Sequence, residues 1–454
     1  MSFPRHIFKA YDIRGLVDGE LTLELAYFIG RSFVILLKNK SYELEEKKLV
    51  VGYDMRPSSM GFQAEVMRGI TDEGVDVVDI GLVSTPLFNF ACAHYREHAG
   101  GIMITASHNP AEYNGFKITF DNGLPLGKET GMDELRDLVE KGEFELVDQK
   151  GAIERTDVFS NYNERIFSLV DTEKIKKLKI VVDAGNGMAN VSIPKVLAQV
   201  PVEVEYLFLE PDGTFPNHEA NPLKEETLKD LRQKVLETGA DFGFALDGDA
   251  DRIGLVDEKG KVVPASFVGA MIGLEVLKRK GGGHMLYDLR MSRSVKELWE
   301  KNGATTDICP VGHAHIKRMM KESHSIFAAE LSLHVYFADM YDVECTDLAL
   351  LYVLDIMSTQ GKKLSEIWEP MNTKFHSGEI NFEVEDTKKV LNALKETYHD
   401  GNLNELDGVL FTYPDFWFNV RASNTEPVLR LNLEAESKEL MEEKVAEIRQ
   451  IIIA

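Results

Sequence analysis

The chain of 454 residues has few cysteines, few tryptophans and no long apolar segment. Its cysteines, Cys92, Cys309 and Cys345, are widely spaced, so neither a disulfide framework nor a CxxC zinc site is indicated. The longest apolar runs, such as residues 265–274, are too short to cross a membrane. The first residues lack the apolar core and cleavage site of a signal peptide. We therefore expect a cytoplasmic protein in a reducing compartment, without a membrane partner.

Basic residues are also scarce, since 51 lysines and arginines stand against 75 acidic residues and the formal net charge is −24. Sequence-independent binding to nucleic acid or to an anionic membrane needs a basic surface, so neither is an expected partner. A small anionic ligand is compatible with this charge, because a few local arginines suffice to bind phosphate. The length and the hydrophobic content of 44% predict a globular protein of about three or four domains.

Short β-rich segments alternate with amphipathic helical segments, which is typical of α/β domains. Three parts of the chain repeat one order, in which a strand is followed by a helix, a second strand and a third, apolar strand. The first strands are expected at 47–54, 178–185 and 283–290, the second at 75–86, 202–213 and 304–312, and the third at 100–110, 241–252 and 324–334. Because such sheets bind ligands beyond the carboxyl ends of their strands, the loops after the third strands are expected to meet in one cleft.

After about Glu369 the pattern changes to one typical of a smaller α+β domain. The fold class that we predict is therefore α/β, with three similar α/β domains of mixed sheets and a smaller C-terminal α+β domain around a central cleft. The predicted domains span residues 1–150, 151–256, 257–368 and 369–454.

The segment LDGDADRIG places Asp247, Asp249 and Asp251 in alternation with small residues. A tight turn can direct the three carboxylates at one point, where their mutual repulsion favours a hard divalent cation such as Mg²⁺ or Ca²⁺. An EF-hand is disfavoured, because Arg252 takes the place of its glycine and the flanking segments resemble strands. A solvated acidic turn without a metal remains the alternative.

Two further segments combine polar groups that suit a sugar phosphate. RASNTEPVLR predicts a phosphate cradle of guanidinium, hydroxyl and loop N–H groups, formed by Arg421, Ser423, Asn424, Thr425 and Arg430. In AAELSLHVYF, alternation places Glu330, Ser332 and His334 on one side of an extended segment, where they can bind sugar hydroxyls. The alternatives are an ordinary turn before a strand with an outward arginine, and a strand with one polar face. YDIRG (Tyr11 and Arg14) and VGHAHIK (His313 and Lys317) are weaker signals that surface turns would also explain.

In GGIMITASHNP, an apolar strand ends at Ser107 and His108, next to an Asn-Pro step. A metal turn, a phosphate cradle and a sugar-binding segment together make Ser107 a candidate phosphoryl carrier, since phosphoryl transfer depends on positioning and charge neutralisation. The alternative is that Ser107 caps the N-terminus of a helix.

These segments, in this order, resemble those of the α-D-phosphohexomutase family, and of its phosphomannomutase/phosphoglucomutase branch in particular. The resemblance covers essentially the whole chain and includes FKAYDIRG, TASHNP, PDGTFPNHEANP (211–222), DGDADR and RASNTEPVLR. It implies that Ser107 is the phosphoserine and that Asp247, Asp249 and Asp251 hold Mg²⁺, to which the Ser107 phosphate also binds.

The resemblance also implies roles for the other candidates. It assigns Arg14, His108, Lys117 and Arg252 to the reacting centre, and Lys117 and His108 are both candidates for the acid or base. It assigns the contacts with the sugar phosphate to Tyr11, Arg290, His313, Glu330, Ser332, His334 and the Arg421–Thr425 loop with Arg430.

The implied reaction interconverts hexose 1-phosphate and hexose 6-phosphate through a hexose 1,6-bisphosphate, which also serves as activator. Mannose and glucose are not distinguished, and a monomer or small homo-oligomer is expected. A metal-dependent sugar phosphatase and a non-catalytic sugar-phosphate sensor remain alternatives. One departure from the family pattern stands out, because Ala329 and Leu333 occupy positions that are usually glycine. If residue 333 needs a positive φ, leucine costs of order 1 kcal/mol there, and altered substrate preference or slower turnover is expected.

Overall fold

Four β-sheets, one in each part of the chain, organise the molecule. The computed structural model describes residues 3–145, 147–422 and 428–453. Within these residues, none of the helices combines the length and the apolarity that crossing a membrane requires. All three cysteines lie in the described chain, where they are buried and unbridged.

The first sheet has the strand order β1-β5-β4-β2-β3-β6, and the second has the order β11-β10-β9-β7-β8. The elements of the first part are β1 (Ile13–Leu16), α1 (Leu23–Asn39), β2 (Lys48–Tyr53), α2 (Ser59–Thr71), β3 (Asp76–Leu82), α3 (Thr85–His94), β4 (His98–Ile104), β5 (Tyr113–Phe120), α4 (Met132–Lys141) and β6 (Ile153–Arg155). Those of the second part are α5 (Phe159–Phe167), β7 (Leu178–Asp183), α6 (Ile193–Leu197), β8 (Val202–Leu207), α7 (Lys229–Thr238), β9 (Phe242–Leu246), β10 (Ile253–Asp257) and β11 (Val262–Val263).

The third sheet has the order β13-β12-β14-β15-β16, and the fourth, which is antiparallel throughout, has the order β17-β21-β20-β19-β18. The third part contains α8 (Ala265–Lys280), β12 (Gly283–Asp288), α9 (Arg293–Lys301), β13 (Ala304–Cys309), α10 (His313–Ser323), β14 (Phe327–Ala329), β15 (Val335–Phe337), β16 (Val343–Glu344), α11 (Thr346–Gln360) and α12 (Leu364–Trp368). The fourth contains β17 (Phe375–Glu383), α13 (Thr387–Thr397), β18 (Asn402–Asn404), β19 (Val409–Thr412), β20 (Phe416–Ala422), β21 (Val428–Ala435) and α14 (Lys438–Ile453). Short 3₁₀ helices lie at Arg5–Ile7, Lys128–Thr130, Thr172–Lys174, Met188–Val191, Glu225–Leu228, Ala338–Met340 and Glu369–Met371.

The first three sheets share one arrangement, which confirms the repeat predicted from the sequence. In each, the first strand of the repeat lies between the second and third strands and is parallel to both, while the next strand is antiparallel to the third. Strands β4, β9 and β14 are buried at every residue, as expected of apolar strands at the centre of a sheet. Each of these third strands leads directly into one of the polar loops singled out above.

One large apolar cluster runs through the first three parts, from Val50 to Trp368. The fourth part has its own cluster around α13, α14 and its sheet, and a small cluster of Leu289, Leu410 and Trp417 joins it to the third part. The fourth part is therefore a separately cored domain, as predicted for the smaller C-terminal α+β unit.

Two sheets extend beyond the boundaries that we proposed from the sequence. Strand β6 lies after residue 150 but pairs with β3 of the first sheet, and β11 lies after residue 256 but pairs with β10 of the second. Both are short edge strands of two or three residues, so their own sequence carries little periodicity to assign them to a sheet.

Candidate active site

The serine loop, residues 105–112, connects β4 to the antiparallel strand β5, so Ser107 does not cap a helix there. Ser107 is almost fully buried and has φ of +50°, a conformation that few residues other than glycine adopt. Its Oγ atom lies 2.9 Å from Asp247 Oδ2 and 3.2 Å from His108 Nδ1. The loop thus places the Ser107 hydroxyl between the Asp247 carboxylate and the His108 imidazole.

The aspartate turn, residues 247–251, follows β9 and returns into β10, so the flanks are strands, as the argument against an EF-hand required. Ligand oxygens of Asp247, Asp249 and Asp251 all lie within 4.8 Å of one another. A side chain at Gly248 would lie 2.3 Å from the Ser107 carbonyl oxygen, so only glycine lets the turn approach the serine loop this closely. The structure therefore brings the three carboxylates and the Ser107 hydroxyl to one point.

The electrostatics of the aspartate turn suit a divalent cation. Burial, reinforced by the charges of Asp251 and Asp249, raises the pKa of Asp247 to about 8. Among the described residues, the buried Oδ1 atom of Asp249 has no hydrogen-bond partner. Buried carboxylate oxygens without partners are costly, and a hard cation with oxygen ligands removes both the repulsion and the missing bond. These three residues can hold a metal ion.

Lys117 is the cation that the structure places at the same point. Its Nζ atom lies 2.6 Å from both Asp249 Oδ2 and Asp251 Oδ2. Burial acts to lower the pKa of Lys117, but the charges of these two aspartates outweigh it and raise that pKa. Lys117 is therefore an ammonium ion in this arrangement.

Three other basic residues surround Ser107. Burial, with the charges of Arg252 and Arg14, holds the pKa of His108 well below its ordinary value, so its imidazole is neutral and can accept a proton. Arg14 donates to Asp12, 2.6 Å away, and to the Asn109 side chain in the serine loop, 2.7 Å away. Arg252 Nε lies 3.7 Å from Asp247 Oδ2 and so faces the same carboxylate as Ser107.

Residues 330–334 form a hairpin turn between β14 and β15, and our prediction of an extended segment here is wrong. The Glu330 N–H donates to the His334 carbonyl at 3.0 Å, and the Leu333 N–H donates to the Glu330 carbonyl at 3.1 Å. Alternation of polar and apolar residues is ambiguous in so short a segment, because a tight turn can also bring every second side chain together. Leu333 has φ of +70°, so the condition for backbone strain at this position is met.

The hairpin turn nevertheless brings Glu330, Ser332 and His334 together. His334 Nδ1 lies 3.0 Å from Glu330 Oε2 and 3.1 Å from Ser332 Oγ, while its Nε2 lies 3.2 Å from Asp251 Oδ1. Burial acts to lower the pKa of His334, but the Asp251 carboxylate outweighs it and raises the pKa to about 9. The imidazole ring of His334 therefore links the aspartate turn to the candidate sugar-binding side chains.

A cluster of guanidinium groups continues from the hairpin turn into the fourth domain. Arg290 Nε donates to both oxygens of Asp288. Its Nη2 atom lies 3.8 Å from Glu330, and its Nη1 atom lies 3.5 Å from Glu379. Glu379 is also 3.1 Å from Arg430 and 3.8 Å from Arg421. The other predicted members of the phosphate cradle, Ser423, Asn424 and Thr425, lie outside the described residues.

Tyr11, in a bend before β1, and His313, at the start of α10, lie beside the same site. Their rings meet edge to face with centroids 5.6 Å apart. Burial, with the charges of Asp407 and Glu330, raises the pKa of Tyr11 to about 12. His313 begins α10, and the Gly312 N–H before it donates to Glu330 Oε1 at 3.2 Å. The described candidates from all four domains are thus joined through short polar or ring contacts.

Models of one protein family match the chain from near its start to near its end. They are described as Phosphoglucomutase/phosphomannomutase alpha/beta/alpha domains I, II and III, matching residues 5–146, 159–260 and 266–375, and the C-terminal domain, matching 379–451. The chain belongs to the phosphoglucomutase/phosphomannomutase family.

Individual relatives agree with this assignment. The chain is 37% identical to a phosphomannomutase of Methanocaldococcus jannaschii over 98% of its own length and 97% of that protein. It is also 37% identical to a phosphomannomutase/phosphoglucomutase of Pseudomonas syringae, over 97% and 93% of the two chains. A crystal structure of a family protein from Burkholderia thailandensis superposes with a TM-score of 0.91 at 30% identity, covering 99% and 97%. The predicted family, fold class and enzyme class, a hexose-phosphate mutase, are confirmed.

Two residues that belong to this phosphohexomutase site were missed by the sequence analysis. Thr85, at the start of α3, donates from Oγ to Asp249 Oδ2 at 2.6 Å, and its N–H donates to the Asp249 carbonyl at 2.9 Å. Glu379 lies among three arginines as described above. Neither stands in a distinctive motif. Their contacts join residues from 42 (Glu379 and Arg421) to 164 (Thr85 and Asp249) positions apart, so only the tertiary structure shows them.

Proposed function

We propose that this phosphohexomutase moves a phosphoryl group between O1 and O6 of a hexose by way of Ser107, with a hexose 1,6-bisphosphate as the intermediate. The observation that carries the proposal is the position of the Ser107 hydroxyl, which is buried against the aspartate turn and touches neutral His108. A phosphoryl carrier needs its oxygen beside a cation site and a proton acceptor, and Ser107 has both.

The proposed cofactor is Mg²⁺ held by Asp247, Asp249 and Asp251, together with an oxygen of the Ser107 phosphate. Three carboxylates within a few ångströms, one with an unpartnered oxygen, fit this ion. The metal, when bound, supplies charge neutralisation for the transferring phosphoryl group. Lys117 would remain beside Asp249 and Asp251 as a second positive charge, supplied by the protein.

In the first half-reaction, the free hydroxyl oxygen of the hexose phosphate attacks phosphorus, and the bond from phosphorus to Ser107 Oγ breaks. As the new phosphorus–oxygen bond forms, the sugar hydroxyl loses its proton, and Ser107 Oγ gains a proton as it leaves and ends as a hydroxyl. In the second half-reaction Ser107 Oγ attacks the other phosphate and gives up that proton, and we assign its acceptor to His108, because the His108 imidazole is neutral and lies 3.2 Å from Ser107 Oγ. Arg14 and Arg252 stabilise the charge on the transferring group.

The bisphosphate then turns within the site and gives its other phosphate to Ser107. Glu330, Ser332 and His334 would hold the sugar hydroxyls in both orientations. Arg421 and Arg430, with Ser423, Asn424 and Thr425, would hold the phosphate that does not react, and Arg290 lies between the two sets. Tyr11 and His313 line the wall of the same space. We propose mannose and glucose phosphates as substrates and closure of the fourth domain as the step that excludes water.

Phosphorus NMR of the purified protein with Mg²⁺ and a trace of glucose 1,6-bisphosphate tests the proposal. Glucose 1-phosphate and mannose 1-phosphate are supplied in separate samples, and conversion to the 6-phosphates is expected and ranks the two sugars. Removal of Mg²⁺ by a chelator should stop conversion, and addition of Mg²⁺ should restore it. Release of inorganic phosphate alone would indicate a sugar phosphatase, and tight binding without turnover would indicate a sensor.

A further inference from the structure

The side chain of Arg56 lies fully buried beneath the serine loop. Its guanidinium donates four hydrogen bonds of 2.6–3.0 Å to backbone carbonyl oxygens, those of Ser107, Asn109, Pro110 and Tyr113. All four carbonyls belong to the serine loop or to the first residue of β5. The Arg56 side chain thus provides hydrogen-bond donors to several backbone carbonyls of the loop that carries Ser107, the candidate phosphoryl carrier.

Arg56 is itself held on its own side of the loop. Its Nε and backbone N–H donate to the two oxygens of Asp54, at 3.2 Å and 3.1 Å, and Ser59 Oγ donates to the same carboxylate at 2.6 Å. Asp54 and Arg56 are both buried, so their charges are paired in a medium where an unpaired charge would be costly. The guanidinium therefore has a defined position before it meets the serine loop.

The second domain contacts Arg56 through the segment 211–222, which the proposed function leaves without a role. The Phe215 ring lies over the guanidinium, with 5.2 Å between Cζ and the ring centroid. Phe215 has φ of +49°, a conformation that bulky residues rarely adopt. A side chain at Gly213 would lie 2.5 Å from the Arg56 Cα atom. The 211–222 segment is therefore packed against Arg56 on both its backbone and its side chain.

The shape of the serine loop explains why such a group is needed. Ser107 has a positive φ, and residues in this region persist only where their surroundings determine them. The loop makes only a few backbone hydrogen bonds, among them one from the Tyr113 N–H to the Pro110 carbonyl at 3.1 Å, and Arg56 supplies further donors to its carbonyls. The planar arginine fork offers five N–H groups in a fixed geometry, whereas a lysine offers three around one atom.

We propose that Arg56 is a positioning residue for phosphoryl transfer. It holds the serine loop so that Ser107 Oγ faces the aspartate turn, and the 211–222 segment of the second domain keeps Arg56 in place. This inference rests on the proposed role of Ser107 as phosphoryl carrier. It also gives the 211–222 segment a task, which is to couple the position of the second domain to that of the reacting hydroxyl.

Arg56→Lys keeps the charge but cannot form the full set of bonds. We expect kcat to fall roughly 100-fold, the loss expected when a reacting group is displaced by about 1 Å, while KM changes by less than about threefold. Intact-mass measurement after mixing with glucose 1,6-bisphosphate should show slower phosphorylation of Ser107. Arg68→Lys, at an exposed arginine on α2, is the matched control and should leave all three quantities unchanged.

Phe215→Leu tests the same idea without altering the guanidinium, and it serves if Arg56→Lys does not fold. We expect a smaller fall in kcat, about three- to tenfold, again with KM nearly constant. Wild-type kcat and phosphorylation rate in Arg56→Lys, or a loss that disappears when activity is corrected for the folded fraction, would overturn the inference. If the wild-type protein itself never takes phosphate on Ser107, the proposed function fails and this inference fails with it.

Discussion

The two ends of the candidate site are built from opposite charges. At the reacting end, three buried aspartates surround Ser107, and Lys117 is the ammonium ion that lies directly between two of them. At the binding end, Arg290, Arg421 and Arg430 surround a single carboxylate, that of Glu379. The first arrangement suits a cation and the second suits an anion.

The two ends also differ in how deeply their charged side chains are buried. Asp247 and Asp249 are completely buried between the first two domains, whereas about a quarter of the Glu379 side chain and a fifth of the Arg430 side chain are exposed. The reacting end lies against the apolar cluster shared by three domains, and the binding end belongs to a domain with its own core. The aspartate turn is therefore embedded in the part of the molecule with the shared core, and the arginine cluster lies on the part with its own core.

The largest effect should come from removing the hydroxyl at the reacting end. Ser107→Ala is expected to lower kcat for glucose 1-phosphate by at least about 1,000-fold, or ~4 kcal/mol, because no oxygen remains to carry the phosphoryl group. A coupled assay for the 6-phosphate measures this, and Ser168→Ala, at an exposed serine outside the site, is the control. Appreciable residual turnover would mean that another group carries the phosphate.

Removing the Lys117 ammonium ion from the reacting end should destabilise the protein, because the aspartate charges there are then less well balanced. Lys117→Met removes the ammonium ion that contacts Asp249 and leaves Asp251 with His334 as its remaining cationic partner, so the metal-free protein is expected to lose about 3 kcal/mol of stability. Mg²⁺ should recover part of this loss, since a ligand that binds only the folded state stabilises it. Denaturant unfolding with and without Mg²⁺ measures both, and Lys176→Met, at an exposed lysine, is the control. An equal response to Mg²⁺ in wild type and Lys117→Met would contradict the idea that the two cations share one site.

At the binding end, removing the carboxylate should strengthen phosphate capture. Glu379→Gln leaves an amide that can still accept hydrogen bonds from the arginines but no longer offsets their charge. We expect binding of inorganic phosphate to tighten about fivefold, or ~1 kcal/mol, the scale of partly exposed ion pairs. Calorimetric titration measures it, with Glu383→Gln on the same strand as control. Weaker binding would show instead that Glu379 chiefly holds the arginines in position.

The smallest effect is expected in the hairpin turn that lies between the two ends. Leu333→Gly removes a side chain held at positive φ, and we expect a two- to tenfold increase in kcat/KM as the turn relaxes around the sugar. Leu333→Ala is the matched comparison, because it removes the same bulk but keeps the strained Cβ. Steady-state kinetics of both variants separate backbone strain from size. Identical kcat/KM values for Leu333→Gly and Leu333→Ala would show that backbone strain at residue 333 does not affect turnover.

Sequence reasoning located the loops of the candidate site well, because each follows the third strand of a repeated unit. Ser107, Asp247 and Glu330 stand at corresponding strand ends, and the three sheets carry those ends to one place. Reasoning from alternation failed at residues 330–334, because a short polar alternation fits both a strand and a tight turn. The two edge strands β6 and β11 extend their sheets past the proposed boundaries and are too short to show periodicity in the sequence.

What the sequence by itself determined is the repeated strand order, the family and the chemical character of each loop, because these depend on local patterns of apolar, acidic and hydroxyl residues. Only the tertiary structure decided which groups meet and in which protonation state. Lys117 is held as a cation by aspartates more than a hundred residues away, and His108 is kept neutral by burial and two arginines. Arg56 and Glu379 gained their partners in the same way, because contact energies depend on distance in space and not on separation along the chain.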